Sequence, residues 1–505
     1  MSVSLLSYQN VRVAPFDHMQ LLELRMIQQV NEHGKLTFTG VISEEHKDND
    51  LYAINEQTPI EVKQILEQGE ERVLFSGIIT EMRIEKSRDV YSIHAEALTS
   101  TVMLDIRVKS RSFQDASMNY GQLVQQIGKD YSNYDVNYTA DKNPGIGNLV
   151  MQYKETDWAF LKRMASRLDT VVVPAEQFKD IKFFFGLPES GAVKKLEEFN
   201  YIVKKKLGDY MTYHKNIRSD AQETDFIFYV ITTDQLLHVG DAVDFQKARL
   251  YVEKAVSTME KGRVMHQYTI TSRKGLNREQ PYNDAIRGAS VGGTVMAINR
   301  DKVKVQLDID KKQDAGKAYW FPYSTVYASA DGSGWYCMPE AGDSVRVTFP
   351  SQREEEAFAI SSVNSYAGEL PGATPQGAQG TGAGSGGGSQ GGGSQGGGSQ
   401  DRMADPNVRY FRNSSGMEVT LAPSHVLISA NNGQATIMLD QSGSVTIVGQ
   451  NEVSLTSKET VNIRADKTLT MTASEEITIE SQKGGKIVLN SGGDTELKGN
   501  EVFTN

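Results

Sequence analysis

Two serines of the sequence match the Gly-x-Ser-x-Gly pattern that surrounds the nucleophile of many acyl-transfer enzymes. They are Ser389 and Ser394, which both lie in copies of the segment GGGSQ. Such a nucleophile needs a strand before it and a helix after it, so that a sharp turn exposes its hydroxyl. A run of glycine, serine and glutamine forms neither element. We interpret both matches as chance and predict no acyl-transfer site.

Histidines and paired carboxylates are the other groups that could supply bases or metal ligands. The sequence contains neither a His-Glu-x-x-His segment nor a phosphate loop that ends in Gly-Lys and a hydroxyl residue. The eight histidines are scattered, and His33 is interpreted as a satisfied structural residue rather than a base or ligand. Glu475 and Glu476 are interpreted as solvated charges. We therefore predict no catalytic residue, no metal site and no cofactor.

Length and composition limit the possible classes of protein. A chain of 505 residues with 39% hydrophobic and 23% charged residues is typical of a soluble protein with several domains. No run of about 18 apolar residues predicts a membrane span, and the N-terminus lacks the charged and apolar regions of a signal peptide. Cys337 is the only cysteine, which excludes an internal disulfide and suits folding in a reducing cytoplasm. The net charge of -11 disfavours nucleic-acid binding.

An eight-residue repeat runs through the C-terminal part of the sequence. Each repeat carries two apolar residues two positions apart, which a strand places on one face. A helical period of 3.6 does not fit this spacing, so each octad predicts a short strand and a turn. A unit that cannot bury its apolar side alone must stack on copies of itself. The pairs are Ile437/Leu439, Val445/Ile447, Val453/Leu455, Val461/Ile463, Leu469/Met471, Ile477/Ile479, Ile487/Leu489 and the degraded pair Thr495/Leu497.

A linker is predicted at residues 366–404. It is rich in Gly, Ser and Gln, contains almost nothing that can be buried, and is expected to behave as a flexible coil. For its central stretch of about 33 residues the root-mean-square reach is roughly 30 Å. The three identical GGGSQ copies are consistent with either a natural linker or an engineered linker.

Residues 289–365 predict a small β-barrel of about five short strands. Alternation places Val303, Val305 and Leu307 on one strand face, and a turn at residues 340–343 precedes the alternating Val345, Val347 and Phe349. The pattern is typical of the oligonucleotide/oligosaccharide-binding (OB) barrel. Nucleic-acid stacking is disfavoured because the segment SQREEEAF is acidic. We expect a core or subunit-contact role for the aromatic residues of this region, which are Trp320, Phe321, Tyr323, Trp335 and Tyr336.

Residues 1–288 mix strands with a few helices. Leu36 and Phe38 alternate with threonines, as in a half-buried strand. Residues 157–168 change to a helical period, and their apolar stripe is Trp158, Leu161, Ala165 and Leu168. Thr156 can cap this helix, and Asp157 suits its positive end. This part is predicted to be α+β with strands dominant.

Four segments together carry a family resemblance. The helix segment MQYKETDWAFLKRMASRL (151–168) and the strand pair VNEHGKLTFTG (30–40) resemble the late-control protein D segment of phage tail hubs and VgrG-type spikes. The segment MPEAGDSVRVTFP (338–350) is similar to a strand of the small barrel of these spikes, and the octads resemble their needle. The family's VxG pattern is largely absent from the octads. The four segments occur in the order that the family has.

The resemblance implies a trimeric spike at the tip of a contractile injection system. The expected architecture is mainly β: tail-hub barrels, two per chain, in residues 1–288, an OB-type barrel in 289–365, the linker, and a trimeric three-stranded β-helix needle in 405–505. The implied core of the needle trimer consists of the apolar octad positions. Val502 and Phe503 would form the end that binds a tip protein.

The resemblance also implies partners and a location. The expected partners are two further copies of the chain, the hexameric tail tube, baseplate proteins, a small conical PAAR-like tip protein and possible effectors, with a target membrane met on firing. Assembly is expected in the cytoplasm, and delivery by the machine. Two alternatives stay open: a tail-associated cell-wall hydrolase and a β-solenoid adhesin that binds glycans.

Overall fold

The structure is a computed structural model, and strands dominate it, as predicted. The chain divides into two compact units, Met1–Tyr366 and Ala367–Asn505. The residues described are 7–56, 58–66, 69–188, 193–260, 262–277, 279–326, 337–363, 407–413, 415–481, 486–490, 492 and 495–498.

The first unit begins with strands that are separated by a few helices. The strands are β1 (Val11–Ala14), β2 (Gln20–Gln29), β3 (Lys35–Ile42), β4 (Pro59–Ile65), β5 (Glu71–Ser87), β6 (Val90–Leu98), β7 (Val108–Phe113), β8 (Tyr134–Tyr138), β9 (Val150–Thr156), β10 (Val172–Pro174), β11 (Ile181–Phe185), β12 (Lys194–Lys195), β13 (Tyr201–Lys205), β14 (Ile227–Thr233), β15 (Ala242–Phe245), β16 (Ala248–Glu260) and β17 (Arg263–Thr271). The helices are α1 (Lys47–Ala53), α2 (Tyr120–Gly128), α3 (Asp157–Arg167), α4 (Leu207–Asn216) and α5 (Arg273–Leu276). Short 3-10 turns span Ser100–Leu104, Glu223–Phe226 and Asp284–Ile286.

A twelve-stranded sheet organises this part of the chain, which we call the hub. One lobe has the strand order β1-β4-β5-β6-β3-β2, and the other contains β16-β17-β14-β13 with β15 and β12. Antiparallel pairing of β2 with β16 joins them. Each lobe has its own apolar core, with Phe38 and Phe75 in the first and Tyr268 and Ile270 in the second. The described strands of residues 1–288 thus form two lobes of one large sheet, beside two smaller sheets.

Helix α3 packs between the smaller sheets of the hub, which are β10-β11-β8 and β7-β9. Its predicted cap is confirmed, because the Thr156 side chain accepts a hydrogen bond from the Ala159 backbone N–H at 3.2 Å. Trp158, Leu161 and Ala165 are buried, while Leu168 is partly buried against the same core. Local sequence signals therefore place this helix and its buried face correctly.

The predicted small barrel is confirmed as a closed five-stranded barrel of order β18-β19-β20-β22-β21. Val303, Val305 and Leu307 are fully buried with Val347 and Phe349. Gly342 adopts a φ of 99° in the expected turn, a value that favours glycine. A further 3-10 turn spans Glu354–Glu356. The strands are β18 (Ser290–Asn299), β19 (Lys302–Leu307), β20 (Trp320–Ser324), β21 (Ser344–Thr348) and β22 (Phe358–Val363).

The aromatic residues of the barrel contribute to its core. Phe321 is fully buried and packs edge-on against Tyr319 at 5.1 Å between ring centroids. Trp320 and Tyr323 are half-buried. Trp335 and Tyr336 lie outside the described residues. A buried Phe321 cannot stack on a nucleobase, in agreement with the expected core role.

The second unit contains two antiparallel sheets, β23-β24-β25-β26-β27 and β28-β29-β30. A 3-10 turn, Asn431–Gly433, separates β25 from β26. The strands are β23 (Arg409–Arg412), β24 (Glu418–Ala422), β25 (His425–Ala430), β26 (Ala435–Asp440), β27 (Val445–Gly449), β28 (Glu476–Glu480), β29 (Lys486–Asn490) and β30 (Thr495–Lys498).

Candidate assembly interface

The apolar octad residues are largely exposed in the single chain. Most of them are between 36% (Ile487) and 70% (Leu455) exposed, and Ile463 and Met471 are 58% and 54% exposed. Ile477 is half-buried. The side chains of Leu489 and Leu497 lie outside the described part, as do Val502 and Phe503. Within the described part of the single chain, the exposed octad side chains are therefore not covered by other apolar residues.

The five-stranded sheet extends the predicted apolar surface toward the N-terminus. Directly opposed residues of an antiparallel sheet share a face, and the strand registers create two rows across it. The rows are Phe411–Val419–Ile428–Ile437–Ile447 and Leu421–Val426–Leu439–Val445. Phe411 is 61% exposed and Ile428 49% exposed. The sequence analysis missed the residues before 437, where only the alternation of apolar residues in each strand indicated them.

Residues 452–475 belong to no strand and pair with none in the described part of the chain. The backbone bends at residues 450–451, 458–459, 466–467 and 474–475, which repeats every eight residues. Among the described residues, none in 452–475 makes a backbone–backbone hydrogen bond. At one bend the Ser457 hydroxyl accepts hydrogen bonds from the N–H groups of Glu459 and Thr460, both at 3.2 Å. The octad period is thus a period of bends between segments that are unpaired in the described part of the chain.

The last described strands bring predicted positions together within the chain. Ile477 lies opposite Leu489, Ile479 opposite Ile487, and Ile487 opposite Leu497. The degraded position Thr495 pairs with Leu489. Val488, which was not predicted, is buried with 9% exposure.

A buried ion cluster fastens the hub to the barrel. Arg163 of α3 is 4% exposed and donates to Glu155 at 2.6 Å and to Glu354 of the barrel at 3.0 Å. Arg167 also donates to Glu354, at 2.7 Å. Burial opposes the charge of Arg163, but the attraction of Glu155 and Glu354 outweighs it and raises the pKa of the guanidinium. The sequence analysis identified Glu354 only as part of an acidic segment.

A second buried carboxylate orders the start of α3. Asp157 is fully buried and accepts from Lys109 at 2.6 Å, from Arg111 at 2.5 Å and from the Tyr131 hydroxyl at 2.6 Å. Burial, together with the hydrogen bond to Asp157, raises the pKa of Tyr131. Asp157 was expected only to favour the helix dipole. It also holds β7 and the segment after α2 against the helix.

The histidines of the hub fill structural roles. His33 Nδ1 lies 2.8 Å from the Thr101 hydroxyl, and its ring packs on Trp158 at 4.7 Å between centroids. His266 lies 2.7 Å from the Ser257 hydroxyl, and burial lowers its pKa to about 4. In the described part of the chain, no group of three or more His, Cys, Asp and Glu side chains is placed to hold a metal ion. No helix there has the length and apolar character needed to cross a membrane.

Comparison with known protein families identifies the two folded parts of the first unit. Residues 33–175 match the phage tail baseplate hub (GPD) family, and residues 291–363 match the type VI secretion system/phage-baseplate injector OB domain. Both matches support a VgrG-type spike, the family that the sequence resembles. The hub and injector domains support the role of a structural spike in a contractile injection system.

Solved structures share the fold of this chain at low sequence identity. The E. coli c3393 protein, a component of the type VI secretion system with structural similarity to T4 bacteriophage tail proteins gp27 and gp5, is 14% identical, with a TM-score of 0.52. That alignment covers 70% of this chain and 99% of the other. The Francisella PdpA-VgrG complex, half-lidded, aligns at 9% identity and a TM-score of 0.51, covering 87% of each chain. A comparison with curated proteins found no match.

Proposed function

We propose that three copies of the chain form a spike whose needle is built from residues 405–505, with the apolar octad residues facing a common axis. The observation that carries the proposal is the exposed apolar pairs, repeated between bends every eight residues. Burying one Val, Leu or Ile contributes roughly 1.5 to 3 kcal/mol, so an octad gains about 3 to 6 kcal/mol gross per chain. This is an upper bound, because unfolded chains already bury some surface.

The unpaired backbone of residues 452–475 supports the same proposal. Strand N–H and C=O groups are obligatory hydrogen-bonding groups, and an open strand edge invites pairing with another chain. Strands from neighbouring copies can supply those partners along the whole stretch. A chain that bends after each extended segment can wrap around a three-sided prism and contribute one strand to each face in turn.

The hub suggests how the spike would join the rest of the machine. Two sheet lobes in each chain give six lobes in a trimer, which is the number that a hexameric tail tube presents. We propose that this ring meets the tube and baseplate, while a small conical tip protein covers the far end of the needle. These partners rest on the family resemblance. Cytoplasmic assembly before delivery belongs to the same proposal.

The mass of the protein in solution tests the trimer. Light scattering coupled to size exclusion should give three times the chain mass of 55.8 kDa. A monomeric mass at micromolar concentration would contradict the proposal, since the exposed octads would then be stable without partners.

We also propose that the role of the chain is not enzymatic. In the described residues, the buried carboxylates Asp157 and Glu354 are each held by two cations, which is an arrangement that stabilises a fold. Incubation of the full chain with purified peptidoglycan should release no soluble fragments. Turnover in this assay would favour the hydrolase alternative, and specific signals on a glycan array would favour the adhesin.

A further inference from the structure

A cleft of about 1070 Å³ opens where the hub meets the barrel. One wall consists of the end of the 3-10 turn Ser100–Leu104, residues 106–107 and strand β7. The opposite wall is the loop between β19 and β20 of the barrel. This volume is at the upper end of that of pockets for drug-sized molecules, and it suits a short length of chain.

Direct contacts between hub and barrel hold the cleft open. The Ser112 backbone N–H and hydroxyl both donate to the Asp310 carboxylate, at 2.7 and 2.5 Å. Gln114 donates to the Val305 carbonyl at 3.2 Å and accepts from the Tyr319 N–H at 3.1 Å. Since both walls are fixed to each other, a ligand would meet a preformed site and lose little free energy in ordering it.

The cations of the cleft fall into two groups. Lys109 and Arg111 are committed to Asp130 and Asp157, and Lys317 is paired with Asp115. Arg107, Lys311 and Lys312 are exposed and form no ion pair or hydrogen bond within the described part of the chain. The Asp314 carboxylate accepts from the Gly316 N–H. Three cations without an ion-pair partner among the described residues therefore line the cleft.

Apolar side chains lie beside these cations. Ile106 is 64% exposed and Met103 is 43% exposed, while Ile309 on the opposite wall is half-buried. Exposed apolar side chains grouped in a cleft are characteristic of binding sites, whereas isolated ones are ordinary. The two kinds of side chain together match a ligand that carries both carboxylates and apolar groups.

We propose that the cleft binds an acidic linear segment of a partner protein, with Arg107, Lys311 and Lys312 on its carboxylates and Met103 and Ile106 on its apolar side chains. The cleft is also lined by the carboxylates of Asp115, Asp130, Asp310 and Asp314, which would repel any anion close to them. A peptide with uncharged residues between its carboxylates can avoid them, whereas a nucleic acid carries a phosphate at every nucleotide and fits less well. The proposal goes beyond the spike function, which needs only self-assembly and the tube.

A fluorescent probe peptide of alternating Glu and Leu tests the site by anisotropy with the full chain. Charge reversal of all three cations (Arg107→Glu, Lys311→Glu, Lys312→Glu) should weaken binding about tenfold or more, which corresponds to about 1.4 kcal/mol. The matched control reverses three exposed lysines outside the cleft (Lys204→Glu, Lys247→Glu, Lys302→Glu), with the same change in net charge. This control should bind the probe as the unchanged protein does, apart from a small general charge effect.

Two further measurements separate the chemistry of the ligand. A probe of alternating Glu and Ser should bind about tenfold more weakly than the Glu-Leu probe, and Ile106→Ser should remove most of that difference. Equal loss in both triple variants would overturn the proposal, because it would indicate attraction by net charge alone. Tighter binding of single-stranded oligothymidylate than of the Glu-Leu probe would overturn it in favour of a nucleic-acid site.

Discussion

The two units of the chain treat their apolar residues in opposite ways. In the hub and barrel, large side chains such as Trp158, Tyr268 and Phe321 are almost fully buried by residues of the same chain. In the described part of the second unit, Val488, with 9% exposure, is the only buried hydrophobic residue. The octad side chains there are mostly exposed. The first unit completes its core within one chain. The described part of the second unit has the apolar pattern of a core, but its own residues do not bury that pattern.

Charged residues of the two units also differ in how deeply they are buried. The hub and barrel bury Asp157, Arg163 and Glu354 in paired networks that fix neighbouring elements. In the second unit the pair Arg464–Asp466 is about 90% exposed, with side-chain values of 89% and 92%. Exposed pairs contribute little to stability. The second unit also has the partly buried pair Arg412–Glu418, whereas the first unit has charges that are almost fully buried and that specify how its parts fit together.

The substitution with the largest expected effect destabilises the second unit and leaves the first unit folded. Ile463→Asp would place one carboxylate from each copy on the proposed dry axis, where desolvation and mutual repulsion both oppose ionisation. We expect the needle to lose about 3 kcal/mol or more per chain. Limited proteolysis should then cut residues 407–498 rapidly and leave the hub intact.

The neighbouring residue supplies a matched control for this experiment. Asn462 lies next to Ile463, so a strand formed there in the proposed trimer would place the two side chains on opposite faces. Asn462→Asp adds the same carboxylate to the outer surface and should leave the needle resistant. Equal protection of the needle in both variants would contradict the inward assignment of Ile463.

Periodic and local features of this fold could be predicted from the sequence. The cap at Thr156 and the stripe of α3 involve residues within a few positions of one another, and they were placed correctly. The octads predicted strands and turns: the bends follow the same period, but the structure has no strand between them in residues 452–475. Alternation likewise identified the buried faces of β3 and β19.

Contacts between distant parts of the sequence could not be predicted. Arg163 and Glu354 are 191 residues apart, and no pattern near either one indicates its partner. The apolar rows before residue 437 were missed for another reason. Val419/Leu421, Val426/Ile428 and Ile437/Leu439 are separated by irregular intervals, because the turns between their strands differ in length. A search for a fixed period finds only the regular part of such a surface.

The next largest effect falls on the first unit alone. Glu354→Ala would leave Arg163 buried and only partly compensated by Glu155, and breaking a buried pair in this way costs about 3 to 5 kcal/mol. Chemical denaturation of the hub and barrel should show that loss, with no change in proteolysis of the needle. Glu355→Ala, at an exposed neighbouring position, is the control and should change the stability by less than about 0.5 kcal/mol.

Acid should also affect the first unit selectively. The pKa of His266 is about 4 in the folded protein, against an ordinary value of 6.5, because the ring is buried. The unfolded chain therefore binds more protons between pH 6.5 and 4, and this residue's contribution to stability is lost as the pH falls through that window. From pH 7 to 5 the loss is about 2 kcal/mol. Glu176, whose pKa is raised by burial, acts in the opposite direction.

Comparison of His266→Gln with the unchanged protein isolates this contribution. The variant should lose about 2 kcal/mol less than the unchanged protein between pH 7 and 5, as measured by urea denaturation of the hub. A parallel pH dependence in the two proteins would show that His266 is not the group that titrates.

The smallest effect tests whether the first unit responds to the loss of one hydroxyl, which accepts the cap hydrogen bond from Ala159 and donates to Asp105. Thr156→Ala removes the side chain that caps α3, and the loss of such a cap costs about 1 kcal/mol. Thr156→Ser keeps the accepting oxygen and should restore most of that stability. Urea denaturation of both variants should show the difference, while the trimer mass stays unchanged because the cap lies in the hub. If Ala and Ser were equally destabilising, the methyl group rather than the cap would matter at this position. A fall in trimer mass would instead mean that the hub itself helps to hold the copies together.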